Sequence, residues 1–174
     1  GHNGIEETTT FCLIPDVAKS ISIPLIAAGG IIDGKGMLAA MILGADAVQL
    51  GTRFVASLES SAHDDFKNIV VNINEGETRL TLKEITPVRL IKNDFYNKIQ
   101  SIYENNGDLE QLKNTLGRGR AKKGMFEGDL QGGELEIGQA ASQLNEILPA
   151  ADIVNNILNE FKLAQQSIIN KTYL

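Results

Sequence analysis

Residues 23–54 read IPLIAAGGIIDGKGMLAAMILGADAVQLGTRF, and they contain two short apolar runs that each end at glycine. The first run, residues 23–28, stops at Gly29-Gly30, and the second, residues 47–50, stops at Gly51-Thr52. Short apolar runs bounded by glycine are typical of buried β-strands. The stretch therefore predicts two buried strands, each ending in a glycine turn.

The segment between the two runs predicts a helix over residues 34–43. Its apolar side chains recur at helical spacing, at Met37, Leu38, Met41 and Ile42. Strand, crossover helix and strand together favour a parallel pair. In a parallel pair both strands end at the same edge of the sheet, so the two glycine turns are expected side by side.

Two adjacent glycine turns at this edge indicate a phosphate site. Glycine lets the backbone approach a ligand, and backbone N–H groups in such turns can point at an anion. In eight-stranded (β/α) barrels the last two strand-end loops often hold phosphate. The alternative, that the glycines only make tight turns, stays open. Gln49 lies at the end of the second strand, where its amide needs partners from backbone or ligand.

Several segments resemble the C-terminal half of the FMN-dependent nitronate monooxygenases, formerly called 2-nitropropane dioxygenases. The flavin-dependent enoyl-acyl-carrier-protein reductases share the same pattern. The segments that carry the resemblance are GHNG (1–4), IPLIAAGG (23–30), QLGTRF (49–54), ESSAH (59–63) and GMFEGDLQGGELEIGQ (124–139). After Gly138-Gln139 the family continues with Ala-Gly, whereas this chain has Ala140-Ala141.

The resemblance implies an α/β fold, the C-terminal part of an FMN-binding TIM (β/α)8 barrel with additional C-terminal helices. Residues 1–174 are expected to form a single domain from which the N-terminal barrel strands are absent. His2 matches the family's catalytic histidine, although a histidine in a glycine-rich loop can also be merely solvated. The residues implied to bind FMN are Gly4, Gly29, Gly30, Gln49, Gly51, Thr52 and Gln139.

The resemblance leaves the activity open between alternatives. A nitronate monooxygenase would oxidise alkyl nitronates with O2 to a carbonyl compound and nitrite. An enoyl-acyl-carrier-protein reductase would reduce an enoyl thioester with NAD(P)H. A third alternative is a catalytically inert, phosphate-binding fragment. The expected partner is thus a small-molecule substrate, either a nitronate or an enoyl thioester.

Composition narrows the class of protein further. Sixteen basic and 22 acidic residues give a formal charge of −6, which argues against a nucleic-acid partner. No apolar run is long enough to span a membrane. Cys12 is the single cysteine, so neither an internal disulfide nor a cysteine metal cluster can form. No metal is expected, the predicted location is the cytoplasm, and a homodimer through the C-terminal helix is an alternative to packing on the barrel.

The rest of the chain predicts helices and one pair of extended segments. A threonine of residues 8–10 is expected to cap the first helix, and Asp94 and Asp108 to cap two later ones. The predicted helices cover residues 64–74, 94–103, 108–116, 137–148 and 150–169, and the extended segments cover residues 78–82 and 87–91. His63 is expected to cap a helix. The basic cluster GRGRAKK (117–123) is either a solvated face or a dock for an anionic substrate, with Lys122 and Lys123 in contact.

Overall fold

The structure, a computed structural model, describes residues 8–171. Its contacts divide the chain into two compact units, which we call the βα unit (residues 8–59 and 148–171) and the hairpin unit (residues 60–147). The elements in chain order are α1 Thr10–Ser20, β1 Ile26–Ala28, α2 Gly34–Ile42, β2 Ala47–Gln49, α3 Thr52–Val55, α4 Asp64–Asn72, β3 Thr78–Thr81, β4 Val88–Ile91, α5 Asp94–Glu104, α6 Leu109–Leu116, α7 Arg120–Met125, a 3-10 helix Gln139–Gln143 and α8 Ala150–Ile169. The prediction of a single domain stays a prediction.

The βα unit contains the parallel pair that the sequence predicts. Strands β1 and β2 are parallel, with Ile26 opposite Ala47 and Ala28 opposite Gln49, and α2 is the crossover between them. One face of the pair packs on α1 and α2. The buried side chains of this core are Ile14, Ala27, Ile31, Ala40 and Ala45.

The expectation that both strands are buried is wrong for most of their residues. Ala27 is 3% exposed, but Ile26 is 59% exposed and Gln49 is also exposed. The reason is the alternation of side chains along a strand. Within residues 8–171 only one face of the two-stranded sheet is covered, so side chains that point to the other face stay accessible.

Helix α1 begins as predicted, but without the threonine cap. Thr9 occupies the N-cap position and its hydroxyl makes no capping bond. The Thr10 hydroxyl instead donates to the Gly29 carbonyl at 3.0 Å, which ties α1 to the first glycine turn. Pro15 lies at the sixth of the eleven residues of α1, where it removes one helical N–H donor.

The hairpin unit is built on β3 and β4, which pair antiparallel as the extended segments predicted. Asp108 caps α6 in a capping box with Gln111, which confirms the predicted cap. The cap of α5 is Asn93 and not Asp94, because the side-chain oxygen Oδ1 of Asn93 accepts from the Tyr96 N–H at 2.9 Å. The core of the unit consists of Leu82, Val88, Leu90, Phe95, Ile99 and Leu112.

The predicted helix over residues 137–148 is wrong. Residues 135–137 are extended beside β4: the Ile91 N–H donates to the Leu135 carbonyl, and the Ile137 N–H donates to the Arg89 carbonyl. Leu135 and Ile137 are buried on one face. Burial with a period of two therefore prevails over helix propensity, and only the short 3-10 helix Gln139–Gln143 follows.

Helix α8 covers the predicted residues 150–169. Ile153 and Ile157 are buried in the βα unit, whereas Leu163 and Ile168 remain 64% and 48% exposed. The prediction that this helix packs on the strand–helix layer therefore holds for its first half. Among residues 8–171, no helix has the length and apolar character that crossing a bilayer requires.

Candidate functional site

The two glycine turns leave the same edge of the parallel pair. Ala28 and Gln49 are opposite each other at the carboxyl ends of β1 and β2. Gly29-Gly30 follows the first strand directly, and Gly51-Thr52 follows the second after one residue. The structure therefore brings together the five site residues that the sequence assigned to this edge, namely Gly29, Gly30, Gln49, Gly51 and Thr52.

Four backbone N–H groups at this edge have no acceptor. Within residues 8–171, no backbone or side-chain oxygen accepts from the N–H of Gly29, Gly30, Gly51 or Thr52. Gly29, Gly30 and Gly51 are exposed and Thr52 is half-buried, so these donors are open to water or to a ligand. Backbone N–H groups in glycine turns at the end of a strand are donors that an anion such as a phosphate can use.

The space around the turns is also suited to a ligand. Gly29 and Gly30 have positive φ angles of 114° and 72°, which disfavour a side chain at either position. Gly51 has φ −97°, which any residue can adopt, and a Cβ there would meet no described atom within 4 Å. The glycine at position 51 is thus not required by backbone conformation or by packing inside the described residues.

Two polar side chains flank the second turn. Gln49 is exposed and not buried as expected, so its amide is accessible to a ligand at the edge of the sheet. Arg53, in α3, is only 7% exposed. The Glu59 carboxylate, a few residues further along, accepts from the Ala150 N–H at 2.8 Å.

Gln139 belongs to the hairpin unit, whereas Gly29, Gly30, Gln49, Gly51 and Thr52 belong to the βα unit. Its side chain is exposed at the start of the 3-10 helix, which packs on α4. His2 and Gly4 lie outside the described residues. Their assigned roles therefore remain predictions.

The glycine-rich segment 124–139 that leads to Gln139 is held by two side chains. Arg120 donates to the carbonyls of Leu116 and Gly132, at 2.8 and 2.7 Å, and lies 4.8 Å above the Phe95 ring. Asn93 donates to the carbonyls of Leu130 and Gly133, both at 2.9 Å. Because these bonds fix the backbone of the segment, the position of Gln139 within the hairpin unit is determined.

A buried carboxyl group lies in the same segment. Glu134 is 7% exposed, and burial raises its pKa to about 7, with a further rise from the neighbouring Glu136 charge. The Arg120 guanidinium opposes this shift. A carboxyl in this environment changes charge near neutral pH, which connects the segment to the pH of the solution.

The basic cluster is divided between structural and surface roles. Arg120 holds the glycine-rich segment, and Lys122 pairs with Glu127 at 3.1 Å on the surface. Lys123 is exposed. Arg120 therefore has a structural role and is removed from the suggested binding site for an anionic substrate. Binding of such a substrate by Lys122 and Lys123 stays a prediction.

His63 has the capping role that the sequence predicted. Its Nδ1 accepts from the Asp65 N–H at 3.2 Å at the start of α4. A Cβ on Gly128 would come within 2.7 Å of the His63 ring, so the ring also packs on the glycine-rich segment. Among residues 8–171, no three His, Cys, Asp or Glu side chains are grouped as a metal site.

Sequence reasoning missed Asn93, Arg120, Glu134 and Glu160. An asparagine before Asp94 was a usable cap signal, since asparagine is among the best N-cap residues. Glu160 acts over a long separation in sequence, because its carboxylate accepts from the Gly34 N–H, 126 residues away. No local pattern reports such a contact.

A model of the family described as "Nitronate monooxygenase" matches residues 1–160. The chain belongs to the nitronate monooxygenase family. A probable nitronate monooxygenase of Staphylococcus aureus (strain MSSA476) is 34% identical over 167 residues, which are 94% of this chain and 46% of that protein. The family is one of FMN-dependent oxidoreductases.

Two solved structures support the family and the fold. FabK from Thermotoga maritima has a TM-score of 0.87 and 42% identity, and the match covers 95% of this chain and 53% of that one. Nitroalkane oxidase from Streptomyces ansochromogenes has a TM-score of 0.71 and 32% identity, covering 91% and 45%. The fold is the C-terminal part of a TIM (β/α)8 barrel with additional helices, as predicted. The chain spans about half the length of these relatives.

Proposed function

We propose that the edge formed by the two glycine turns binds the phosphate of FMN in an FMN-dependent nitronate monooxygenase. The observation that carries the proposal is the group of four N–H donors, at Gly29, Gly30, Gly51 and Thr52, for which residues 8–171 supply no acceptor. The family model supports the same cofactor and reaction class. Bound FMN would supply the redox chemistry, and the chain supplies position and hydrogen bonds.

In this proposal alkyl nitronates are oxidised with O2 to a carbonyl compound and nitrite. His2 is assigned as the base that removes the α-proton when the substrate is a neutral nitroalkane. Gln49 and Gln139 present exposed amides that can donate to or accept from the cofactor. The cytoplasmic location and a homodimer are further proposals, to be tested on the complete protein.

A second candidate is an FMN-dependent enoyl-acyl-carrier-protein reductase that uses NAD(P)H. The observation in its favour is the 42% identity to FabK, compared with 34% to the S. aureus protein. The residues at the phosphate edge serve both candidates equally, because both would bind the same cofactor. The substrate therefore has to be decided by assay.

One assay series separates the candidates. The complete protein is incubated with FMN, desalted and examined by visible absorption, and the yellow protein is then given alkyl nitronate with O2, or enoyl thioester with NAD(P)H. Nitrite release without nicotinamide supports the monooxygenase. Oxidation of NAD(P)H that depends on the enoyl thioester supports the reductase. A protein that is colourless after desalting would contradict both and leave the inert phosphate-binding alternative.

A further inference from the structure

Helix α8 contacts both segments that follow the glycine turns. Helix α2 begins at Gly34, four residues after Gly30, and α3 begins at Thr52, within the second turn. α8 packs along α2 and also touches α3. A single helix thus connects the structures behind the two halves of the proposed phosphate site.

The contact with α2 involves backbone against backbone. The Glu160 carboxylate accepts from the Gly34 N–H at 2.9 Å. A Cβ built on Gly34 would overlap the backbone of Ile157 and Phe161 in α8. No side chain separates the two helices here, so the start of α2 cannot move without moving the middle of α8.

A second contact connects the N-terminal end of α8 to the segment that follows the second glycine turn. The Leu58 N–H donates to the Leu148 carbonyl at 3.0 Å, and Ser57 and Leu148 form a parallel bridge. The Ala150 N–H at the start of α8 donates to the Glu59 carboxylate at 2.8 Å. Ala150 and Glu160 are about 15 Å apart along one helix, at about 1.5 Å per residue. Both contacts are therefore made by one continuous helix, α8.

The same contacts restrict where an anion can bind. The first N–H of α2, at Gly34, is taken by Glu160, and the Gly36 N–H is taken by the Asp33 carboxylate at 2.7 Å. Two carboxylates at this helix terminus repel an anion and leave no free donor at these two positions. In the proposed site the phosphate is therefore bound by the N–H groups of the two glycine turns and not by those of Gly34 and Gly36, so the separation of the turns affects how well it fits.

We propose that Glu160 and Gly34 are positioning residues, which set the spacing of the two glycine turns through α8 and thereby the affinity for the flavin phosphate. The inference rests on the proposed function, because it takes that edge as the phosphate site. Neither residue touches the cofactor in this proposal. Both act through the backbone of α2.

Comparing FMN with riboflavin tests this, because riboflavin lacks the phosphate. Dissociation constants for both are measured by flavin fluorescence in the complete protein and in the variants Glu160→Ala, Glu160→Gln and Gly34→Ala. Glu160→Ala is expected to weaken FMN about five- to tenfold and to leave riboflavin unchanged. Glu160→Gln keeps an acceptor oxygen and should bind FMN within about twofold of wild type. Asn159→Ala, an exposed neighbour on α8, is the matched control.

The outcomes separate the two proposals. If Glu160→Ala weakens FMN and riboflavin equally, the effect is a general loss of structure and the positioning role is wrong. If it weakens neither while wild type prefers FMN, the positioning role is wrong and the phosphate site stands. If wild type binds FMN no more tightly than riboflavin, the phosphate site itself is refuted. Gly34→Ala should weaken FMN binding more than Glu160→Ala does. If Gly34→Ala does not fold, the comparison of Glu160→Ala with Glu160→Gln decides.

Discussion

At the scale of the residue, a substitution at Gly51 should impair FMN binding and leave the fold intact. Gly51→Val is expected to keep the fold, because φ is −97° and no described atom lies within 4 Å of the new Cβ. The side chain would instead occupy the space for the phosphate, so FMN retention after desalting should fall at least about tenfold. Visible absorption measures the flavin and calorimetry measures the melting temperature. Unchanged FMN retention would remove the phosphate-site proposal.

Glu134 is the residue whose charge should make stability depend on pH. Its pKa in the folded protein, about 7, lies above the ordinary value of 4.5, so the folded state binds the proton more tightly. The contribution of Glu134 to the free energy of unfolding is then greatest below pH 4.5, falls as the pH rises from 4.5 to about 7, and is level above that. Glu134→Gln should flatten this fall and stabilise the protein at pH 8 by on the order of 3 kcal/mol.

Denaturant unfolding at pH 5, 6, 7 and 8 measures the effect of Glu134→Gln. The matched control is Glu75→Gln, an exposed glutamate in a turn of the same unit. It should leave the pH dependence as it is in the wild type. A slope between pH 5 and 7 that persists in Glu134→Gln would assign the titration to another group.

Residue roles were predictable where they depend on near neighbours in sequence. The conformations of Gly29 and Gly30 and the caps at His63 and Asp108 follow from local patterns. The burial of Glu134 does not, because it depends on which face of residues 134–137 meets β4. The exposure of Gln49 also escaped prediction, since a period-two pattern does not state how many faces of a sheet are covered.

At the scale of the element, Asn93 connects a helix to the glycine-rich segment. Its side chain caps α5 and donates to the carbonyls of Leu130 and Gly133. Asn93→Ala removes the cap and both side-chain bonds, and should lower the free energy of unfolding by about 2–4 kcal/mol. Hydrogen exchange should accelerate in residues 128–137. Asn97→Ala, an exposed site on the same helix, should change neither.

The prediction for Asn93 has a clear contrary result. If exchange in residues 128–137 stays at the wild-type rate while α5 alone frays, the segment is held by Arg120 without help from Asn93.

The elements themselves were largely predictable, and α8 matches residues 150–169. The helix over residues 137–148 was not, because Leu135 and Ile137 are buried by pairing with β4, a contact made more than forty residues away in sequence.

At the scale of the whole molecule, each compact unit has its own apolar core. Leu112 is 3% exposed in the core of the hairpin unit, and Ile14 is 4% exposed in the core of the βα unit. Leu112→Ala should cost about 2–5 kcal/mol and accelerate hydrogen exchange within residues 60–147. Ile14→Ala should accelerate exchange within residues 8–59 and 148–171 instead. Equal acceleration in both units by either variant would show that the chain unfolds as one cooperative body.

The fold was predictable because several segments resemble the nitronate monooxygenases, and this resemblance implied a TIM barrel. The pattern of apolar strands, crossover helix and glycine turns by itself predicted only the parallel pair. The division into two compact units was not predicted, since no composition change or linker marks residues 59–60 or 147–148. The packing of α8 was predicted, but the way in which it attaches to the βα unit was not. It depends on the bonds from Glu59 to Ala150 and from Glu160 to Gly34, which join distant parts of the sequence.

The four N–H groups of the glycine turns, which have no acceptor within residues 8–171, should also affect how much flavin the protein retains during purification. If they bind phosphate, inorganic phosphate or sulfate in a buffer competes with FMN at the same donors. By mass action an anion at ten times its dissociation constant would stabilise the flavin-free protein by about 1.4 kcal/mol and reduce apparent FMN affinity about elevenfold. Buffer composition thus becomes a variable of flavin loading, and preparations made in phosphate should yield paler protein than those made in a zwitterionic buffer.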